Sequence, residues 1–561
     1  MTSRQANRRI RLLLAVFGLA FAATLGRAAW LQTVRAEPLG KLADNQHVST
    51  LKIPAGRGAI YDRTGVQLAI GEQTTTVTAD PRQVTDARSV SLAAARALGI
   101  DANALYPALI DRSKGFVYVD RWADPKKAAT LAKKGFAGLY FYPEERRRYP
   151  QSSVAASVLG FAGADNNGLA GLEVQFENWL AGRPGKQTIV KDPFGRAIDV
   201  ISSTDEREGS DLYLTIDHTI QANAEAILRK TVSEWGAKAA TAIVLDPRTG
   251  GIYAMAQAPG FDANRFGEMP FDRTRNRAVT DTYEPGSTFK LVTVSAALSE
   301  GLVNPSTSFV LPYSIHVADR TVHDAEQRGT ETMTVARILS HSSNVGAITL
   351  AEKLGSQRLS EWIARWGFGK STGIDFPGES PGIVLPLDKW SGSSIGNMPI
   401  GQGIAVTPVQ MAAAYAAVAN GGVWIRPHLV ERVGGHRRAK PKHRRIISET
   451  VSAQVRAMLA NVVSEGTGTL AAIPGYRVAG KTGTAEKPDG YGGYSTSRYV
   501  SSFVGFVPAS NPRLVVLVAV DEPHGAIFGG VVAAPAFRDI ARFDLQYLEV
   551  PPDAPVTRTT P

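Results

Sequence analysis

Hydrophobic and polar positions change period several times along the chain. Leu12 to Leu25 is an unbroken apolar run, extendable to Leu31 if Arg27 snorkels toward an interface, and Arg4, Arg8, Arg9 and Arg11 precede it. A signal peptide's apolar core needs ~7–15 residues and a spanning helix about 20, so the uninterrupted part fits both. The extended run, with no clear Ala-x-Ala site after it, favours an uncleaved anchor over residues 12–31, a cytoplasmic tail over 1–11 and everything later outside.

From Leu212 the pattern alternates between strand and helix. Leu212 to Asp217 reads as extended, Gln221 to Trp235 as a helix, and Ala240 to Leu245 with Gly251 to Ala256 as a hairpin around Asp246-Pro247-Arg248-Thr249-Gly250. Phe289, Val292, Ala296 and Leu298 fall near helical spacing between Ser287 and the stop at Gly301. Two further helical patterns centre on Val335, Ile338 and Leu339, and on Ile348, Leu350 and Leu354. Strand-like runs follow at Tyr476 to Gly480, Tyr499 to Val507 and Leu514 to Val520, then a helix from Ala534 to Leu548 and a Pro-rich, disordered tail from Pro551.

With 561 residues, 44% of them hydrophobic, the chain has room for several domains. The net charge of +11 points only to anionic surroundings, and no nucleic-acid motif accompanies it. Without cysteine there are neither disulfides nor thiolate metal sites, and the nine histidines include no His-Glu-x-x-His pattern, so no metal or cofactor is expected.

Candidate chemistry lies in three short motifs. In Ser287-Thr288-Phe289-Lys290 a helix starting at the serine puts the lysine one turn on, where its amine can take the hydroxyl's proton. The same pattern at Ser49-Thr50-Leu51-Lys52 runs into Ile53-Pro54-Ala55-Gly56, which cannot continue a helix. Ser342-Ser343-Asn344 connects two helical patterns; it suits a proton relay through Ser342 and a substrate-amide contact through Asn344, or simply a helix cap. Lys481-Thr482-Gly483-Thr484 offers a cation and hydroxyls to a carboxylate, with Gly480 and Gly483 leaving room for a peptide to lie alongside, or else is an ordinary edge strand.

The three motifs in this order resemble the penicillin-binding proteins. The resemblance extends to Tyr283-Glu284-Pro285-Gly286 and Gly401-Gln402-Gly403-Ile404-Ala405-Val406-Thr407-Pro408. Gly56-Arg57-Gly58-Ala59-Ile60-Tyr61-Asp62-Arg63, Arg148-Tyr149-Pro150 and Gly168-Leu169-Ala170-Gly171-Leu172-Glu173 resemble the pedestal of the class B members. It implies an α+β fold: a five-stranded antiparallel sheet between helices over 210–548, a pedestal or dimerisation-like domain over 45–205, a single transmembrane helix, and a disordered tail over 549–561. The implied activity is serine D,D-transpeptidation, with Ser287, Lys290, Ser342, Asn344 and Lys481 catalytic, and Thr482, Gly483 and Thr484 binding substrate. Backbone N–H groups of Ser287 and Thr484 would form the oxyanion hole.

Peptidoglycan stem peptides and β-lactams are the implied ligands; the membrane, a membrane glycosyltransferase and divisome proteins are the implied partners. Asn344 and Tyr283-Glu284-Pro285-Gly286 resemble the division branch, with elongation and sporulation types as alternatives. A β-lactamase would need a Glu-x-x-Leu-Asn pattern, which is not found. A β-lactam sensor would need further spanning segments, and a silent scaffold would not need intact motifs. The basic segment His436 to Arg445 is expected on a loop or hairpin projecting away from the cleft.

Overall fold

A computed structural model describes residues 3–35, 37, 48–191, 197–491 and 493–555. The chain divides into two compact units, 1–56 with 182–208, and 57–181 with 209–561. In the first, helix Ser3–Thr33 contains a stretch, Asn7–Thr33, long and apolar enough to cross a membrane. A three-stranded antiparallel sheet completes the described part of that unit, with Gly185–Lys191 between Val48–Ile53 and Ala197–Thr204. The second Ser-x-x-Lys copy therefore lies on a strand.

In the larger unit a five-stranded antiparallel sheet runs in the order Ile252–Ala258, Ala239–Leu245, Leu514–Asp521, Tyr494–Val507, Ala479–Pro488. Leu514–Asp521 is nearly all apolar because both faces are covered. Val516, Val518 and Val520 pack with Ile220, Leu228, Phe537 and Ile540 of helices His218–Glu234 and Ala534–Tyr547. Val515, Leu517 and Ala519 face the core that holds Phe289, Val292 and Tyr415. Helix Pro408–Ala419 is buried along its whole length, and a Thr407/Gln410 capping box fixes its start.

A second sheet joins residues before and after the first unit's insertion. Its order is His436–Arg437, Val430–Val433, Leu212–Leu214, Ile60–Tyr61, Gln67–Ala79, Val117–Ala123, with Leu139–Arg148 also on Gln67–Ala79. The three segments that resemble a pedestal meet at one buried carboxylate. Glu173 accepts from Arg57 Nε at 2.7 Å, Arg147 Nε at 2.6 Å and the Tyr149 hydroxyl at 3.2 Å. Burial alone would raise the Glu173 pKa; Arg147 and Arg57 outweigh it and hold the carboxyl below its usual range. Asp62, Asp217 and His218 also cluster, but Asp62 accepts from Thr64, Val66 and His218, and Asp217 pairs with Arg63 and caps the following helix. Structural contacts thus account for that carboxylate cluster.

The basic segment is exposed along most of its length and opens on a hairpin, His436–Arg437 against Val430–Val433, as expected, but its arginines are tied back to the domain. His443–Arg445 pairs with Val423–Ile425, and Arg444 stacks over Trp424 while donating to the carbonyls of Arg365 and Trp366 at the end of helix Ser356–Trp366. Arg438 pairs with Asp375, and Arg445 donates to Gly421 O. Long guanidinium stems let charges reach orphan carbonyls without burying their heads. The tail expected over 549–561 is tied down as far as Asp553, which accepts from Arg477 N–H and the Ser510 hydroxyl. Residues 556–561 lie outside the described residues.

Candidate active site

The nucleophile candidate sits slightly ahead of the helix expected to start with it. Gly286–Phe289 is a 3₁₀ turn, Lys290–Ser299 the α-helix that follows, and Gly286 takes φ +54°, a conformation favouring glycine. A separation of three residues brings side chains to the same side in a 3₁₀ turn as in an α-helix, so the spacing argument survives the change. Lys290 Nζ lies 3.1 Å from Ser287 Oγ, 2.7 Å from Asn344 Oδ1 and 3.3 Å from Ser342 Oγ, and it also donates to Ser342 O. The first two motifs therefore converge on one amine.

That amine is fully buried. Desolvation lowers its pKa to about 7, against a smaller upward pull from Asp324. A lysine so placed has a neutral fraction at physiological pH and can accept a hydroxyl proton. Ser342 holds φ +60°, and the connector is pinned from outside. Asp324 accepts from Ser343 Oγ and Val345 N–H and pairs with Arg328, while Asn344 Nδ2 donates to His323 O. Ser343 caps helix Asn344–Leu354 through Gly346 N–H. Cap and cleft residue thus coexist in Ser-Ser-Asn.

Lys481 to Thr484 lies inside strand Ala479–Pro488, which extends beyond the run expected to end at Gly480. This is the edge strand of the five-stranded sheet, next to the nucleophile turn: a Cβ on Gly286 would lie 2.8 Å from Thr484 O. At Gly483 a Cβ would lie 2.4 Å from Ser502 Oγ and 2.9 Å from Pro285 O, so glycine keeps strand and turn in close approach. Lys481 is fully buried, donating to Thr482 O and Oγ1 at 3.2 Å each. Burial lowers its pKa well below the ordinary value, and Lys290 adds to the effect. Thr482 Oγ1 is 2.7 Å from Thr467 Oγ1, and Thr484 Oγ1 accepts from Gly529 N–H.

All eight residues singled out in the three motifs thus fall in one region between the sheet edge and the helices. Sequence reasoning missed Asp324 and Thr467. Asp324 stands in an unpatterned loop 18 residues before Ser342, and Thr467 offered only a Gly-Thr-Gly turn. Neither position carries a spacing that would announce it.

The dimerisation-domain family model for penicillin-binding proteins matches residues 52–214, and their transpeptidase-domain model matches residues 240–542. The chain belongs to the penicillin-binding proteins. With both domains present it is a class B member, and its second domain is a serine-type transpeptidase. It is 35% identical to the peptidoglycan D,D-transpeptidase FtsI of Escherichia coli over 98% of this chain and 93% of the relative. It is also 35% identical to stage V sporulation protein D of Bacillus subtilis, over 94% of this chain and 83% of the relative. Penicillin-binding protein 3 of Mycobacterium tuberculosis, solved with aztreonam, superposes with a TM-score of 0.72 at 31% identity, over 90% of this chain and 99% of that one. The N-terminal apolar helix fits a membrane anchor for such an enzyme.

Proposed function

We propose that this chain cross-links peptidoglycan stem peptides through a Ser287 acyl-enzyme, at the outer face of a membrane to which its first helix tethers it. The observation that carries the reading is the buried Lys290 amine, 3.1 Å from Ser287 Oγ with its pKa brought to about 7. In its neutral form Lys290 takes the Ser287 proton as Oγ attacks the penultimate D-Ala carbonyl. Backbone N–H groups of Ser287 and Thr484 stabilise the oxyanion. The C–N bond breaks, Ser342 passes a proton to the departing D-Ala amine, and the acyl group stays on Ser287. An amine of a neighbouring stem attacks the ester, gives up its proton through the same groups, forms the cross-link and frees the serine.

Asn344 holds the donor's amide backbone, and the donor's carboxylate meets Lys481, Thr482 and Thr484, with Gly483 admitting the peptide along the edge strand. Arrival of that carboxylate favours the charged form of Lys481, offsetting the burial that lowers its pKa. We assign the chain to septal wall synthesis, with a membrane glycosyltransferase and divisome proteins as partners, on Asn344 and Tyr283-Glu284-Pro285-Gly286 and the likeness to FtsI. Equal identity to the sporulation protein makes a sporulation role the second reading. Incubating the full chain with lipid II and a glycosyltransferase, then analysing the muropeptides by mass, tests the activity; polymer without cross-links would overturn it. Depletion that gives filamentous, undivided cells supports the septal role, and normal division with failed spores replaces it.

A further inference from the structure

Glu284, three residues before the nucleophile, makes contacts that the acylation chemistry does not use. Its Oε1 accepts from Gly403 N–H at 2.9 Å and from the Tyr494 hydroxyl at 3.0 Å. Gly403 belongs to a segment tied to the nucleophile turn elsewhere: Gly286 N–H donates to Gly401 O at 3.1 Å, and Tyr283 and Val406 exchange backbone hydrogen bonds at 3.0 and 2.9 Å. A Cβ on Gly401 would meet Gly286 O at 2.1 Å, so the two backbones touch. Tyr494 begins the strand next to the edge strand and stands opposite Pro488 at the far end of their pairing. Three segments therefore share one carboxylate: the nucleophile turn, the Gly401 to Val406 segment and the hairpin that carries Lys481 to Thr484.

We propose that Glu284 is a positioning residue that locks the Ser287 turn to the edge-strand hairpin through Tyr494 and to the Gly401 to Val406 segment through Gly403. Two converging donors explain why an acceptor stands there; without it, the Tyr494 hydroxyl and Gly403 N–H lose a shared partner and the hairpin end is no longer tied to the turn. Aligning Ser287 Oγ with a carbonyl held against the edge strand depends on that distance, since small misplacements of reacting groups are costly. Burial, with Glu486 nearby, pushes the Glu284 carboxyl above its usual range, so an amide is a fair stand-in for it.

This inference rests on acylation at Ser287, which the Ser287→Ala control tests separately. With full-length protein in detergent, acylation by a fluorescent penicillin is resolved into the pre-complex Kd and the acylation rate constant, alongside the melting midpoint. Glu284→Ala and Tyr494→Phe should each lower the rate constant about tenfold, the order of one hydrogen bond to a carboxylate, with Kd changed far less. Glu284→Gln should restore the rate to within about threefold of the parent, and the Ala/Phe double variant should be no slower than Glu284→Ala, since both remove one shared contact. Tyr494→Phe keeps the test open should Glu284→Ala fail to fold. Parental rates in folded Tyr494→Phe, strictly additive effects, or Glu284→Gln as slow as Glu284→Ala would each overturn the proposal.

Discussion

Ser49-Thr50-Leu51-Lys52 and Ser287-Thr288-Phe289-Lys290 share a pattern and differ in backbone. The first is on a strand paired with Gly185–Lys191; the second is a 3₁₀ turn running into a helix. Only in a helical turn does a separation of three residues return to the same side of the chain, and at 287–290 the lysine reaches a buried place beside the serine. A motif is chemistry when the backbone turns its spacing into proximity.

The largest expected effect sharpens this contrast. Ser287→Ala should abolish covalent labelling by fluorescent penicillin, read on a denaturing gel, while Ser49→Ala labels fully. Labelling that survives in Ser287→Ala would break the comparison and the mechanism with it. Lys290→Ala should leave a folded protein acylated about 10²–10⁴-fold more slowly, the usual worth of a positioned general base. Lys52→Ala should change nothing measurable.

Burial of Lys290 adds a pH test. With its pKa lowered to about 7, the amine is protonated below that value and cannot accept the Ser287 proton, so the acylation rate constant should climb about tenfold per unit below pH 7 and flatten above it. An unburied lysine near its ordinary value would still be gaining rate at pH 9. A profile flat from pH 5 to 9 would show that Lys290 is not the base.

Element types were largely legible because periodicity and capping agree with packing. The hairpin from Ala239 to Ala258, the helix from Ala534 and the continuous apolar run of Leu514–Asp521 follow directly from where apolar side chains must go. The three motifs were legible because each carries its own spacing. What escaped depends on contacts distant in sequence. Asp324 acts through Ser343, Val345 and Arg328, and Thr467 through Thr482. The 3₁₀ geometry at Ser287 depends on Gly286 fitting between Gly401 and Thr484, which no local pattern records.

Smaller effects should separate the residues that hold the site from those that touch substrate. Lys481→Ala should slow acylation by carboxylate-bearing β-lactams about tenfold or more with little change in melting midpoint, since a charge-assisted contact to the ligand is lost. Asp324→Ala should lower both midpoint and rate, because Ser343 Oγ, Val345 N–H and Arg328 lose a buried partner, a loss of about 1–3 kcal/mol. Equal midpoint losses in both variants would erase the distinction between ligand contact and support.

The smallest effect repeats the lesson of the two Ser-x-x-Lys copies in the basic segment, where residues alike in composition differ in what their backbone offers. Arg444 is half-buried against Trp424 and donates to the last carbonyls of helix Ser356–Trp366, whereas Lys440 and Lys442 are exposed. Arg444→Ser should therefore destabilise the folded protein by about 1–2 kcal/mol, through lost helix-end hydrogen bonds and lost stacking on the indole, seen as a lower midpoint in thermal or denaturant unfolding. Lys440→Ser with Lys442→Ser should leave the midpoint unchanged but weaken any binding of the protein to anionic vesicles, an effect that salt should mask. Acylation per folded molecule should stay the same in all of them, because neither lysine nor Arg444 contacts the cleft residues. Equal destabilisation by the lysine and arginine changes would mean that net charge, rather than the Arg444 contact with the helix end, sets the segment's contribution.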